Sequence, residues 1–297
     1  MSKHIRLTAS HVDKALSKFA TEHYKLSIQL SADGFSFSVV EVNRNKLLSV
    51  ESYQLDKPES ISSSVNHESV VLLAIEELFL QFNWIGKKFA AINFIVESDK
   101  STLIPMPLFD PAELNTYLKF SHNVSEDEDI LSNSMFNLEA FNVFSLLKNL
   151  REKISSIFPD AIILNISNTL IEGILINHKN QNIKNKIFVN IRNSKFDVIL
   201  IDGKRLIFSN SFKYKTKEDF IYFLIFVFEQ LRINPEEVEL VFLGNIQKNS
   251  PLYEIAYNYI RKISFGKRSE LIKYSYVFDD VPEHFFYNLL NSNLCGL

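Results

Sequence analysis

Cysteine occurs once in the 297 residues, at Cys295, so no intrachain disulfide can form and a reducing cytoplasm is the expected compartment. Its position, two residues before Leu297, also fails the spacing of a prenylation box. Glycine is scarce, with seven in all. Phosphate-cradling loops depend on glycine, because a residue without Cβ lets backbone N–H groups close on the anion. No apolar leader opens the chain between Met1 and Phe19. The longest apolar run, Phe220 to Phe228, has nine residues, against the roughly 20 that cross a bilayer. Bounded by Lys217, Glu218, Asp219 and Glu229, it reads as a buried helix, and no membrane partner is expected. Basic excess is absent too. A net charge of -3 and a pI near 6.2 argue against a dedicated nucleic-acid binder.

Motifs with a mechanism are missing as well. None of the seven histidines forms a HisXxxXxxXxxHis or HisGluXxxXxxHis pair, and no GxSxG elbow or P-loop occurs. His67, His122, His178 and His284 read as surface or cap residues. The run Ser125-Glu126-Asp127-Glu128-Asp129 has carboxylates that suit Ca or Mg, but it lacks the glycine and spaced ligands of an EF-hand loop and reads as a solvated connection. Arg261, Lys262, Lys267, Arg268 and Lys273, near Tyr274 and Tyr276, make the most basic region. Cations among aromatics can hold single-stranded nucleic acid; the net charge favours a solvated edge with tyrosines packed beneath.

What the chain does contain is ordinary for a globular protein, 46% apolar and 23% charged, with an unusual 26 phenylalanines. Its length suggests two domains. Val12, Leu16 and Phe19 have the spacing of a short helix. Leu26, Ile28 and Leu30 alternate with polar residues, Ala32-Asp33-Gly34 turns the chain, and Phe35, Phe37 and Val39 alternate again, which predicts a hairpin. Asn43 to Asn45 is a second turn, and Leu47 to Tyr53 a third strand. A loop from Asp56 to Asn66 precedes Val71, Ala74, Ile75, Leu78, Phe79 and Phe82, one helical face. Phe89 to Val96 is a buried parallel strand. Asp110 and Pro111 open a helix; Ile130 to Ser134 and Ala140 to Ser145 are short strands; Leu147 to Phe158 is a helix, and Ala161 to Asn165 a strand. Ser167 caps a helix carrying Leu170, Ile171, Ile174 and Leu175.

From Lys186 the pattern restarts. Ile187, Val189 and Ile191, then Phe196, Val198 and Leu200, then Leu206 to Tyr214 give three strands, with Asp202-Gly203 as a turn. Phe220 to Leu231 is a helix, Val238 to Leu243 a buried strand, and Pro251 to Ile260 and the Phe285 to Leu290 region are further helices. Strand positions correspond at a constant offset of 189 − 28 = 161, including Tyr53 with Tyr214; the helix and following strand correspond at 220 − 71 = 149. The reading is a duplication with one indel of 161 − 149 = 12 residues in the Ser/Pro loop.

Three antiparallel strands, a helix and a parallel strand, used twice, resemble the actin-like ATPase fold of actin, sugar kinases and Hsp70-type chaperones. The whole chain is similar to the bacterial domain-of-unknown-function family 3822, whose members resemble degenerate relatives of that superfamily. The resemblance implies an α/β fold of two duplicated actin-like (ribonuclease H-like) domains around a cleft. Residues 1–180 would form the first, with an N-terminal extension and a small inserted subdomain around 120–145, and 181–297 the second. In active relatives the turn after strand one carries an acid and glycines that hold phosphate and organise Mg²⁺. Here the matching positions are amides, Gln29 and Asn190, followed by Ser31 and Arg192 where glycines are expected. The adenosine loop's paired glycines reduce to Gly244. The expectation is a non-catalytic scaffold or adaptor without a cofactor, binding another protein or a further copy of itself. The alternative is a nucleotide- or small-anion-binding protein, a weak phosphotransferase, in which Arg192 and Lys195 hold the ligand through their side chains.

Overall fold

The computed structural model describes residues 5–31, 33–55, 67–179 and 185–295, with the side chains of 67–71 and 73 outside that description. The Asp56 to Asn66 loop and the side chain of Val71 therefore lie outside the described residues. The chain forms two compact units. Unit 1 contains residues 1–172, 270–280 and 289–297; unit 2 contains 173–269 and 281–288. In chain order the strands and helices are β1 (Ile5–Val12), β2 (Tyr24–Ser31), β3 (Gly34–Glu41), β4 (Lys46–Leu55), α1 (His67–Gln81), β5 (Ala91–Val96), β6 (Ser101–Pro105), α2 (Leu114–Ser121), β7 (Glu128–Met135), β8 (Ala140–Leu147), α3 (Lys148–Ile157), β9 (Ile162–Asn165) and α4 (Ile166–Asn177). There follow β10 (Lys186–Ile191), β11 (Lys195–Asp202), β12 (Arg205–Lys213), α5 (Lys217–Gln230), β13 (Glu239–Gly244), α6 (Pro251–Tyr257), β14 (Lys262–Phe265), β15 (Lys273–Tyr274) and α7 (Tyr287–Asn291).

In unit 1 the sheet runs β1-β4-β3-β2-β5-β9, with β15 paired to β4. The period-two alternation of Leu26, Ile28, Leu30, Phe35, Phe37 and Val39 puts all six on one face, where they pack with Ala74, Ile75 and Leu78 of α1 and Leu150 and Ile154 of α3. β5 lies parallel to β2, which requires the α1 crossover between them. Gly34 closes the hairpin because a Cβ there would sit 2.0 Å from the Tyr53 carbonyl oxygen. The helix expected from Val12, Leu16 and Phe19 does not form. Residues 5–12 are instead a strand antiparallel to β4, whose edge backbone groups would otherwise be unpaired, and Phe19 is 89% exposed.

The opposite face of this sheet is polar and yet buried. Ser27, Ser38 and Asn93 lie side by side across β3, β2 and β5, each under 3% exposed. The segments that return from the far end of the chain bond to the same unit: Lys25 Nζ donates to Asn293 O at 3.1 Å, Asn93 Nδ2 to Ser292 O at 2.9 Å, and Ser275 Oγ to Asp13 Oδ2 at 2.6 Å. Asp13 also accepts from the Ala15 N–H and from Lys46 Nζ. The hydrogen bond from Ser275, then those from Ala15 and Lys46, outweigh burial and hold its carboxyl down to about 2. A depressed carboxyl contributes stability that is present above its ordinary value of 3.8 and lost as pH falls towards 2. Acid titration of unit 1, followed by the fluorescence of Trp84, is expected to show that loss, and Asp13→Asn to flatten it.

The small sheet β6-β8-β7 and α2 span Ser101 to Leu147, wider than the expected stretch around 120–145. Asp110 caps the turn into α2 as its sequence suggests, accepting from the Ala112 N–H at 2.9 Å. Asn165, not Ser167, caps α4: its Oδ1 accepts from the Ser167 N–H at 2.9 Å, the geometry of a side chain two residues before the bonded amide. Glu172 on α4 is buried and accepts from both Asn137 N and Asn137 Nδ2, which fixes the turn between β7 and β8. Burial pushes its carboxyl up against those hydrogen bonds.

In unit 2 the sheet runs β12-β11-β10-β13-β14. Ile187, Val189, Ile191, Phe196, Val198 and Leu200 form its core with Phe220, Leu224, Val227 and Phe228 of α5. Thr216 and Asp219 make a reciprocal capping box at the start of α5. Thr216→Ala is expected to cost unit 2 about 1 kcal/mol, measured by urea denaturation. The buried-helix reading of Phe220 to Phe228 needs correction: Tyr222 and Phe226 are exposed and stack at 6.5 Å, so α5 is amphipathic despite its unbroken apolar run. The basic region contributes β14, which pairs parallel to β13, and Lys262 Nζ bonds to Glu237 O.

Described separately, the two sheets share an order and a set of strand directions: β4-β3-β2-β5-β9 and β12-β11-β10-β13-β14. The register shifts opposite Val39/Val40, leaving Leu48 of β4 as the extra residue, and opposite Leu200/Ile201, leaving Ile207 of β12, at the same 200 − 39 = 161 offset. The register corrects the third strand. Tyr53 faces Phe35 while Phe212 faces Phe196, so Tyr53 corresponds to Phe212 at 212 − 53 = 159, not to Tyr214. The aromatic pairs agree, with ring centroids 5.2 and 5.4 Å apart. The parallel strand is corrected too, because Ile92 pairs with Leu26 and Leu240 with Ile187, an offset of 240 − 92 = 148. A one-residue slip would turn Phe94 and Phe242 out of their cores, so packing decides the register. Compared strand by strand, the β3–β4 turn is two residues longer than the β11–β12 turn.

Candidate functional site

The expected site residues of unit 2 sit at the ends of β10 and β13. Asn190 and Arg192 follow one another out of β10, and the turn closes with Arg192 N–H bonded to Lys195 O at 2.9 Å. Opposite them on β11 stands Asp197, the one polar residue inside the run Phe196 to Ile201 and 5% exposed. Arg192 grips it with two bonds, Nε to Oδ2 at 3.0 Å and Nη2 to Oδ1 at 2.7 Å. Asn190 Nδ2 adds a third at 2.9 Å and Ser211 Oγ a fourth. Charge-assisted, bidentate and nearly buried, this is the strongest kind of side-chain contact in the unit. The Arg192 fork is turned onto its own strand neighbour. Tyr214 Oη donates to Arg192 O at 3.0 Å and holds the turn from the far side.

Gly244 ends β13 in the left-handed region, φ +78°. A Cβ there would lie 2.3 Å from Ile191 O and 2.7 Å from Asn190 Oδ1. The glycine is therefore required by the close approach of β10 itself. Its N–H donates to His284 O at 2.9 Å, and Asn245 N–H to Ile191 O at 2.9 Å. His284, read from sequence as a surface or cap residue, is buried; its ring lies against Phe265 at 4.4 Å, and Nε2 donates to Ile246 O at 2.7 Å. Three backbone groups of the β13 loop are thus engaged by residues 281–288 or by β10.

Burial lowers the pKa of His284, opposed by its bond to Ile246, and burial lowers that of His178 too. A histidine held neutral contributes stability that is present above its ordinary value of 6.5 and lost as pH falls below it. The urea midpoint of unit 2 is expected to drop between about pH 7.5 and about pH 5.5, and His284→Gln to reduce that drop.

In unit 1 the counterpart turn is simpler. Gln29 is half-buried and lies between Ser36 on β3 and Ile95 on β5. Ser31 Oγ donates to Asp33 Oδ1 at 3.0 Å and contacts Gly34 O at 3.1 Å, so Asp33 and Gly34 belong to the hairpin turn. The structure brings together Asn190, Arg192 and Gly244. Sequence reasoning missed Asp197, Ser211 and His284, although a lone acid inside Phe196 to Ile201 is a legible sign of a buried ion pair.

The acid run is tied up locally. Glu128 accepts from Lys100 Nζ at 2.6 Å, from Ser125 N–H at 2.9 Å and from Ser145 Oγ at 2.9 Å, and Asp129 pairs with Arg151 at 2.8 Å. Burial pushes the Glu128 carboxyl up, yet these hydrogen bonds prevail and hold it down to about 2. Among the described residues no group of three His, Cys, Asp or Glu is placed to hold a metal ion, and no helix is long and apolar enough to cross a membrane.

Residues 13–263 match the family described as "Protein of unknown function (DUF3822)". The chain belongs to this family. Among solved structures it is similar to a Bacteroides thetaiotaomicron VPI-5482 protein with an actin-like ATPase fold and unknown function, at 23% identity and a TM-score of 0.71, covering 84% of this chain and 93% of that one. It is also similar to the PilM-PilN type IV pilus biogenesis complex, at 10% identity and a TM-score of 0.54, covering 91% of this chain and 97% of that one. At these identities the likeness concerns the fold, which is actin-like. No curated protein matches the chain.

Proposed function

We propose that this member of the family is a non-catalytic scaffold or adaptor, an actin-like fold that has lost its phosphate-binding loops. The observation that carries the reading is the Asp197 node: the turn that holds phosphate in active relatives is here built around an internal ion pair, with Arg192 in place of a glycine. Gly244 supports it, because its missing Cβ makes room for Ile191 and its N–H is spent on His284. The alternative, an anion held by Arg192 and Lys195, loses its principal group to Asp197. The shared strand order and the matching bulges of the two sheets support an origin by duplication, with the two units taken as the two actin-like domains about a cleft. The similar solved structure, a PilM-PilN type IV pilus biogenesis complex, supports a protein partner for this chain as well. A cytoplasmic location is part of the same proposal.

Affinity capture of the full chain from cell extract, followed by reconstitution with each purified candidate, tests the reading. The expected result is a stoichiometric protein complex whose affinity is the same with and without ATP and Mg²⁺. A complex that forms only with nucleotide overturns it.

A further inference from the structure

Two short connections of unit 1 meet at one surface. Residues 13–23 lead from β1 to β2, and residues 82–90 lead from α1 to β5. Lys87 Nζ donates to Lys18 O at 3.0 Å and Thr21 Oγ1 to Lys88 O at 2.8 Å, which joins the two. The first connection is also fixed locally: Leu16 N–H donates to Asp13 O at 3.0 Å, Ser17 N–H to Tyr24 Oη at 3.1 Å, and Leu16 packs on the core. Yet this fixed loop presents the ring of Phe19 to water, 89% exposed. A buried phenylalanine stabilises a fold, whereas one on display contributes nothing to it. Cations surround the ring. Lys87 Nζ lies 5.1 Å from its centroid, Lys18 Nζ lies 5.7 Å from that of the buried Trp84, and Lys14 and Lys88 are exposed on the same two connections.

Residues 14–23 and 82–90 hold four lysines and one acid, Glu22, a charge of 4 − 1 = +3 with histidine neutral; the rest of the chain then holds −3 − 3 = −6. Asp13, next to this stretch, is buried and paired with Lys46. The other exposed phenylalanines stand near acids. Phe226 has Glu229 one turn on along α5, Phe136 O accepts from the Glu139 N–H at 3.3 Å, and Phe120 stands on α2, which packs against β7 and its acid run.

We propose that this face of unit 1 docks on an anionic lipid bilayer, with the Phe19 ring among the headgroups and Lys14, Lys18, Lys87 and Lys88 against the lipid phosphates. Apolar side chains set among lysines bind such an interface by burial and charge together, and each lysine adds an attraction that salt screens. The same surface repels the negative remainder of the chain, so charge turns this face towards it. The expectation of no membrane partner follows from the want of a spanning run, and a surface contact needs none. The scaffold reading is independent of this docking, and either stands without the other.

Co-sedimentation of the full chain with vesicles tests the docking. Binding is expected to mixed phosphatidylglycerol and phosphatidylcholine vesicles at low salt, with none at high salt or on phosphatidylcholine alone. Phe19→Ser should weaken it about tenfold. Lys14→Gln with Lys88→Gln should weaken it about 25-fold, about fivefold for each lysine. Neither change removes a hydrogen bond that joins the two connections. Trp84, the one tryptophan, reports which face is down, because brominated lipid should quench its emission. Three results overturn the proposal. One is no sedimentation with the anionic vesicles at low salt. Another is sedimentation that Phe19→Ser leaves unchanged, the mark of charge attraction alone, as an acidic protein or a nucleic acid would give. The third is sedimentation without quenching of Trp84, which puts another face on the bilayer.

Discussion

Replacing Asp197 by alanine is expected to destabilise unit 2 by about 3–5 kcal/mol, the cost of breaking a buried ion pair from one side. Arg192 would lose its bidentate carboxylate while keeping its charge at a side-chain exposure of only 12%. Two further donors, Asn190 Nδ2 and Ser211 Oγ, would lose their acceptor at the same time. The effect belongs to the pair and not to the charge: Arg192→Ala alone is destabilising too, and Arg192→Ala with Asp197→Ala costs less than the sum of the single changes. Trp84 is in unit 1, so hydrogen exchange of the β10 and β11 amides is the suitable readout. Additive losses in that cycle would mean that the two side chains are not coupled.

Gly244→Ala is the second large expected effect. The left-handed backbone alone costs a non-glycine residue about 1–2 kcal/mol, and displacing Ile191 from a packed strand adds about 1–3 kcal/mol. Gly203 provides the control. It also has a left-handed backbone, φ +64°, but nothing lies within 4 Å of its Cβ position. Gly203→Ala should therefore show the backbone cost alone. Equal losses at the two positions would remove the close-approach argument for Gly244.

Local pattern made most of the fold readable. Alternation in Leu26 to Leu30 and Ile187 to Ile191, the helical spacing of α1, and the capping signal at Asp110 each act within a few residues of themselves. What remained hidden depends on distant partners. Residues 5–12 become a strand because β4 has an open edge, which the helical spacing of Val12, Leu16 and Phe19 cannot report. The polar residues of the Leu26 to Leu30 strand would ordinarily face water, yet Ser27 is buried under residues more than 260 positions away. Tyr214 looked like the partner of Tyr53 because both follow the same spacing from a fixed offset; only the pairing of Phe196 with Phe212 shows that the turn is two residues shorter in unit 2. At the candidate site the substitutions Gln29, Ser31, Asn190 and Arg192 were legible, but their consequence was not. Arg192 could be read as a phosphate ligand until Asp197 was seen to occupy it.

Titration calorimetry of the full chain with ATP and Mg²⁺ tests the central claim most directly. An ion pair in the β10–β11 turn and a Gly244 loop bonded to His284 predict no saturable heat. A Mg²⁺-dependent, micromolar association that disappears in Arg192→Ala, with the variant's fold verified by hydrogen exchange, would contradict the account.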